Sequence, residues 1–286
     1  RLPADVLELS IDSIDRVPLP LRPAQARALK GVASPAHFGH GEKTLLDPSV
    51  RDTWEIDPQS VMLGGARWDA ALTEALEELG VQLGIPGSSR LRPELHSMLV
   101  YGKGQFFAPH QDSEKHDDMV ATLVVALPSP HTGGQLVIDD RGSLKHYDGS
   151  PNELVLVAFY ADRRHEVLPV RTGTRATLTF NLLLEEDPTP VAGGPVEQAA
   201  SLLKDHFSTP VRRTYERESH LPARLAFLLD HEYSERSLRS GKLKGTDAKR
   251  VALLGAAADA AGCEWVLAAT EIQETWKAIP DTSYRR

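Results

Sequence analysis

At 286 residues, with 41% hydrophobic and 25% charged side chains, the chain has globular composition and room for one large domain or a core with an extension. Its net charge of -8 argues against a nucleic-acid partner held mainly through phosphates, because that affinity rests on lysine and arginine. One cysteine, Cys263, excludes an intrachain disulfide and suits a reducing compartment, most simply the cytoplasm. No apolar run reaches the length of a membrane span, and residues 1–5 do not read as a signal peptide. The Arg1 start and the Arg285-Arg286 end fit a piece of a longer protein.

Residues 1–90 read as a mixed helix and loop segment that buttresses a central barrel. Pro23 to Ala33 has the pattern of a short helix opened by proline. Thr44 to Met62 carries β-branched and apolar residues broken by Pro48 and Pro58. Between Ala66 and Leu83 the residues Trp68, Leu72, Ala75, Leu76, Leu79 and Leu83 recur at three- and four-residue spacing, which predicts a helix. Gly84-Ile85-Pro86-Gly87 ends it.

From Leu95 to Leu184 the period becomes that of strands. The runs His96–Tyr101, Met119–Leu127, Gln135–Ile138, Glu153–Tyr160 and Arg175–Leu184 are separated by turn residues such as Gly102, Gly104, Pro128, Gly133-Gly134, Gly149 and Gly173. Strands this close, with no helices between them, predict an antiparallel sandwich or barrel such as a jelly roll. Asp187-Pro188-Thr189-Pro190 with Gly193-Gly194-Pro195 reads as a linker. Beyond it, Val196–Phe207, Pro222–His231 and Asp247–Ala261 look helical, and Glu264–Thr270 has the composition of a last strand. The expected division is therefore 1–90, a jelly-roll core over 91–186, and a mostly helical extension over 191–286.

The informative stretch is Tyr101-Gly-Lys-Gly-Gln-Phe-Phe-Ala-Pro-His110-Gln-Asp112. Strand side chains alternate, so a His-x-Asp pair puts an imidazole and a carboxylate on one face, where they can share a metal. A third ligand from another strand would complete a facial triad with open positions, the arrangement of a non-heme iron oxygenase. His165, just after an apolar strand, is the best third ligand. Ten residues on, Arg175 opens another apolar strand, and its planar fork suits a carboxylate in an apolar pocket.

The order His-x-Asp, some fifty residues, His, then Arg ten residues later resembles the prolyl 4-hydroxylase-like branch of the Fe(II)/2-oxoglutarate-dependent dioxygenases. The surrounding residues agree: Tyr101 nine positions before His110, Gly133-Gly134-Gln135-Leu136 midway, and Asp162–Val167 around the distal histidine. The resemblance spans about residues 95–184. It implies a double-stranded β-helix, Fe(II) held by His110, Asp112 and His165, and Arg175 on the C5 carboxylate of 2-oxoglutarate. It also implies Tyr101 and Thr122 in the co-substrate pocket, and ascorbate as reductant. A tyrosine of some animal prolyl hydroxylases aligns with Ala126, and Thr177 is the substitute in reach. The implied reaction uses dioxygen to hydroxylate a C–H bond, first of a prolyl or other residue in a protein or peptide. A free amino acid or natural product is the second reading, and a non-catalytic jelly-roll binding module the third.

Other features have plainer readings. His116 with His110 and Asp112 suggests zinc, but its charged surroundings favour a solvated side chain. His96, His131 and His146 read as ordinary strand or loop residues, and His231-Glu232 lacks the second histidine of a zinc-protease helix. Asp162-Arg163-Arg164 reads as a surface charge cluster before a substrate guide, Trp54 as buried packing, and Lys242-Leu243-Lys244-Gly245 as a solvated turn.

Overall fold

The computed structural model describes residues 1–40, 43–85, 89–112, 118–140, 142–185, 194–212, 218–239 and 242–270. His116, Pro86-Gly87, the linker residues 187–190 and 193, and residues 271–286 lie outside them. The described chain is mainly β with four α-helices: α1 (Pro23–Val32), α2 (Trp68–Leu83), α3 (Gly194–Ser208) and α4 (Gly245–Ala261).

Two sheets face each other. The larger has seven strands, with Glu153–Tyr160, Met119–Ala126, Arg175–Glu185 and Arg90–Tyr101 adjacent and antiparallel at its centre. The smaller has five strands, in the order Ser143–Tyr147, Leu136–Asp140, His165–Val167, Phe106–His110 and Arg51–Asp52. Both faces of the larger sheet are covered, so its strands read as continuous apolar runs instead of alternating ones.

Strand parity sorts the residues between the two faces. Met98, Val100, Leu123, Val125, Leu178 and Phe180 face outward into a core shared with α2 and the N-terminal segment. Leu99, Tyr101, Ala126, Val155 and Val157 face inward, toward the smaller sheet. By the same alternation Thr122, Arg175 and Thr177 face inward. The four positions that the resemblance assigns to the co-substrate pocket thus share one interior face.

Helix α2 buries Trp68, Leu72, Leu76 and Gly80, a four-residue repeat that makes one apolar stripe against the sheet. It ends at Gly84, whose φ of 75° is the left-handed conformation that glycine adopts at little cost. The first 90 residues also carry strands that sequence periodicity does not reveal. Leu2–Pro3, Ser34–Pro35 and Trp54–Ile56 join the larger sheet, and Arg51–Asp52 joins the smaller. Strands of two or three residues are too short to show a period.

Two expectations beyond the barrel fail. Residues 222–231 form no helix. Pro222 lacks a donor, and the Asp247 carboxylate takes the N–H groups of Asp230 and His231, so these do not close a helical turn. Residues 264–270 form no strand. Trp265 folds back on α4 instead, donating from Nε1 to Asp259 at 3.3 Å and lying against Gly255, where an added Cβ would fall 2.7 Å from the indole.

Candidate metal centre

His110, Asp112 and His165 come together at the open end between the sheets. Their ligand atoms all lie within 4.8 Å of one another. A β-bulge makes this possible. Phe107 pairs with Val167 and His110 with His165, so one strand spends three steps where its partner spends two. Phe107 faces the interior, and strict alternation would put Pro109 there next; the extra residue brings His110 to that face instead. The His110 ring then stacks on Phe107, with centroids 3.5 Å apart. The strand ends at His110, and Asp112 lies beyond it, anchored by its own N–H to the Ala161 carbonyl at 3.2 Å.

Each of the three side chains is oriented by a second contact. His110 Nδ1 lies 2.9 Å from the Ala108 carbonyl and His165 Nδ1 3.0 Å from the Arg163 carbonyl. A carbonyl only accepts, so each Nδ1 carries the proton and each Nε2 lone pair is left for a metal. Both Nε2 atoms approach Asp112 Oδ1, at 3.7 and 3.6 Å. Thr122 Oγ1 donates to the other oxygen, Oδ2, at 2.6 Å. Thr122 therefore holds the Asp112 carboxylate as well as lining the pocket.

Burial lowers the His110 imidazole to about 4, with the neighbouring His165 pushing the same way. Burial works to raise the Asp112 carboxyl, but the charges of His165 and His110 and the Thr122 hydrogen bond outweigh it, so the group lies below its usual value. An imidazole kept from protonating beside an ionised carboxylate suits a divalent ion.

Arg175 lines the same cavity at 3% exposure, directly across from Tyr101 in the sheet. Its guanidinium lies 5.2 Å from the Tyr101 ring centroid, and among the described residues no carboxylate lies within ion-pair distance. Burial lowers its pKa while Tyr101 works the other way, and a guanidinium stays protonated in proteins at neutral pH. Thr177 is the register partner of both Leu99 and Ala126, so its hydroxyl stands beside the position where the resemblance expects a tyrosine.

A second polar cluster braces the loop before His165. Asp162, with a side chain only 7% exposed, receives His231 Nδ1 and the Glu232 N–H, both at 3.1 Å, and Lys244 Nζ lies 4.0 Å away. Lys244 is 1% exposed and donates to the Glu232 carbonyl at 2.8 Å. Gln111, between two of the triad residues, donates to the Asp162 carbonyl at 2.7 Å. Asp162 is thus no surface charge and Lys244 no solvated turn; each is buried because a partner far along the chain covers it. These residues, and Arg51 at the rim, carry no local sequence signal.

Comparison with known proteins agrees with this geometry. Residues 96–183 match the 2OG-Fe(II) oxygenase superfamily. The matched oxygenase segment holds all three triad residues and Arg175, and the resemblance read from the sequence is borne out. Fe(II) and 2-oxoglutarate follow as its cofactors, and the donor set fits: two imidazole nitrogens and a carboxylate that could hold the ion, beside a buried guanidinium with no carboxylate in ion-pair distance among the described residues. No curated protein matches the chain. Among solved structures, a Pseudomonas putida prolyl-4-hydroxylase is 21% identical, covering 63% of this chain and 92% of that one at a TM-score of 0.35. A Trichoplax adhaerens prolyl hydroxylase, in complex with a hypoxia inducible factor oxygen degradation domain peptide fragment, is 15% identical, covering 63% and 84% at 0.39. A Burkholderia pseudomallei 2OG-Fe(II) oxygenase family protein is 18% identical, covering 56% and 78% at 0.36. No described helix is long and apolar enough to cross a membrane.

Proposed function

We propose that the protein is a dioxygenase that hydroxylates a C–H bond of a prolyl or other residue in a protein or peptide. The observation that carries the oxygenase reading is one cavity holding both the converging triad and a buried cation without an acidic partner among the described residues. The polypeptide substrate rests on the prolyl 4-hydroxylase-like motif order. In this reading His110, Asp112 and His165 hold Fe(II), and Arg175 pairs with the C5 carboxylate of 2-oxoglutarate. Tyr101 supports the guanidinium with its ring, and Thr177 adds a hydroxyl beside it. Thr122 holds Asp112 Oδ2, which leaves Oδ1 beside the two Nε2 atoms.

When bound, Fe(II) and 2-oxoglutarate supply the oxidising chemistry, with dioxygen consumed and succinate and carbon dioxide released. The chain's own part is placement and shielding. The two Nδ1–H bonds fix the imidazoles before the metal arrives, and the apolar interior face keeps water from the reacting carbon. We place residues 194–270, with α3 and α4, as an extension braced against the barrel, and the protein in the cytoplasm, as its single cysteine suggests.

Mass spectrometry of cellular proteins and metabolites exposed to wild-type or His110→Ala protein tests the substrate. The expected result is a one-oxygen mass gain on polypeptides with the wild type only. A gain confined to free amino acids or other metabolites would replace the polypeptide reading.

A further inference from the structure

The cavity holds a second cation that the triad and Arg175 leave unexplained. Arg51 sits on a short edge strand opposite Phe107, and its guanidinium lies 4.7 Å from the Phe107 ring centroid. Phe107 is the ring on which His110 stacks, so this cation stands one side chain away from a metal ligand. Arg51 donates from Nη1 to the carbonyl of His37, a neutral acceptor. Its Nε is buried and has no hydrogen-bond partner. Among the described residues no carboxylate lies within ion-pair distance of it, and the adjacent Asp52 is occupied by Gln105 at 2.6 Å.

Leaving a half-buried guanidinium without a counter-charge costs free energy that folding alone does not repay. Charge counting shows what is missing. Fe(II), Asp112, Arg175 and Arg51 together leave three positive charges in one pocket. The two carboxylates of 2-oxoglutarate cancel two of them, and one remains. We propose that Arg51 recognises a carboxylate on the primary substrate, close to the carbon that is oxidised. The inference rests on the oxygenase reading and narrows its substrate class to anionic molecules. An acidic side chain and a chain or amino-acid terminus share this chemistry, since both present the planar pair of oxygens that a guanidinium fork matches.

The test is calorimetric binding to the Fe(II)- and 2-oxoglutarate-loaded protein without oxygen, so that it does not depend on turnover. The probes are N-acetylglycine for a terminal carboxylate, N-acetylaspartamide with its free side-chain carboxylate, and N-acetylglycinamide as the neutral control. At least one carboxylate probe should bind about 10-fold or more tighter than the control, the range of one charge-assisted hydrogen-bonded pair. Whichever of the two wins identifies the source. Arg51→Gln should erase that preference, and Arg51→Lys, which keeps the charge and the fold, should restore part of it. Equal binding of charged and neutral probes, or no binding of any, would overturn the proposal. So would an Arg51→Gln loss that falls mainly on 2-oxoglutarate, which would assign Arg51 to the co-substrate. Failure of the oxygenase reading is separate: it would appear as no succinate formation by the wild type in air.

Discussion

Two buried polar clusters, one inside the barrel and one under the C-terminal segment, are built on opposite principles. In the brace every group is satisfied. Asp247, fully buried, accepts from the Asp230 and His231 N–H groups and from the Tyr233 hydroxyl, all at 2.9–3.0 Å, which leaves little of a carboxylate's acceptor capacity unused. In the barrel the polar atoms are oriented toward one another: two Nε2 atoms and Asp112 Oδ1 converge, and among the described residues two guanidinium groups have no carboxylate within ion-pair distance. A filled network specifies structure, whereas ligand atoms and cations converging in one cavity specify a ligand.

If that contrast is right, substitutions in the two clusters should separate ligand binding from stability. The largest effect is expected from His110→Ala. Anaerobic Fe(II) titration should show affinity falling by more than about 100-fold, beyond the 10–100-fold typical of losing an outer-shell partner, with the melting curve little changed. Asp247→Ala should do the reverse. It strands the buried His231 N–H and removes the acceptor of the Asp230 N–H and the Tyr233 hydroxyl, so chemical denaturation should show a loss of about 2 kcal/mol or more. Arg175→Gln should weaken 2-oxoglutarate by roughly 30-fold, about 2 kcal/mol, in equilibrium binding while Fe(II) affinity holds. Thr122→Val should cost roughly 10-fold in Fe(II) affinity, because Asp112 Oδ2 loses its donor and the carboxylate can turn.

The smallest effect concerns pH. Burial works to raise the Asp162 carboxyl, but the His231 hydrogen bond, Lys244 and the Glu232 N–H hold it below the ordinary 3.8. Its ionised form therefore stabilises the fold above the unfolded value, near pH 4, and that contribution is lost as pH falls through the folded value. Melting from pH 7 down to pH 3 should show this acid loss in the wild type and a shallower one in Asp162→Asn.

The barrel cluster is far more legible in the sequence than the brace, for a physical reason. The candidate site depends on short spacings along the chain: Asp112 lies two residues past His110, where its strand ends, and Arg175 opens a strand ten residues after His165. Alternation pairs Arg175 with Thr177, and the strand register adds Tyr101 and Thr122 to the same face. The bulge does not show in the motif itself, although Pro109, unable to donate in a ladder, marks where it falls. The brace instead joins Asp162 to His231, 69 positions away, and to Lys244. Locally these residues look like solvated charges, and only tertiary packing removes the water. Likewise Pro222–His231 is apolar enough for a helix, yet a remote carboxylate at Asp247 decides its ending.

Succinate formation from 2-oxoglutarate with added Fe(II), measured beside Fe(II) binding in the same preparations, tests the metal centre most directly. The wild type should bind one ion and form succinate, and His165→Ala, still folded, should do neither. A wild type that is folded yet neither binds Fe(II) nor forms succinate would contradict the assignment of His110, Asp112 and His165 as an iron site.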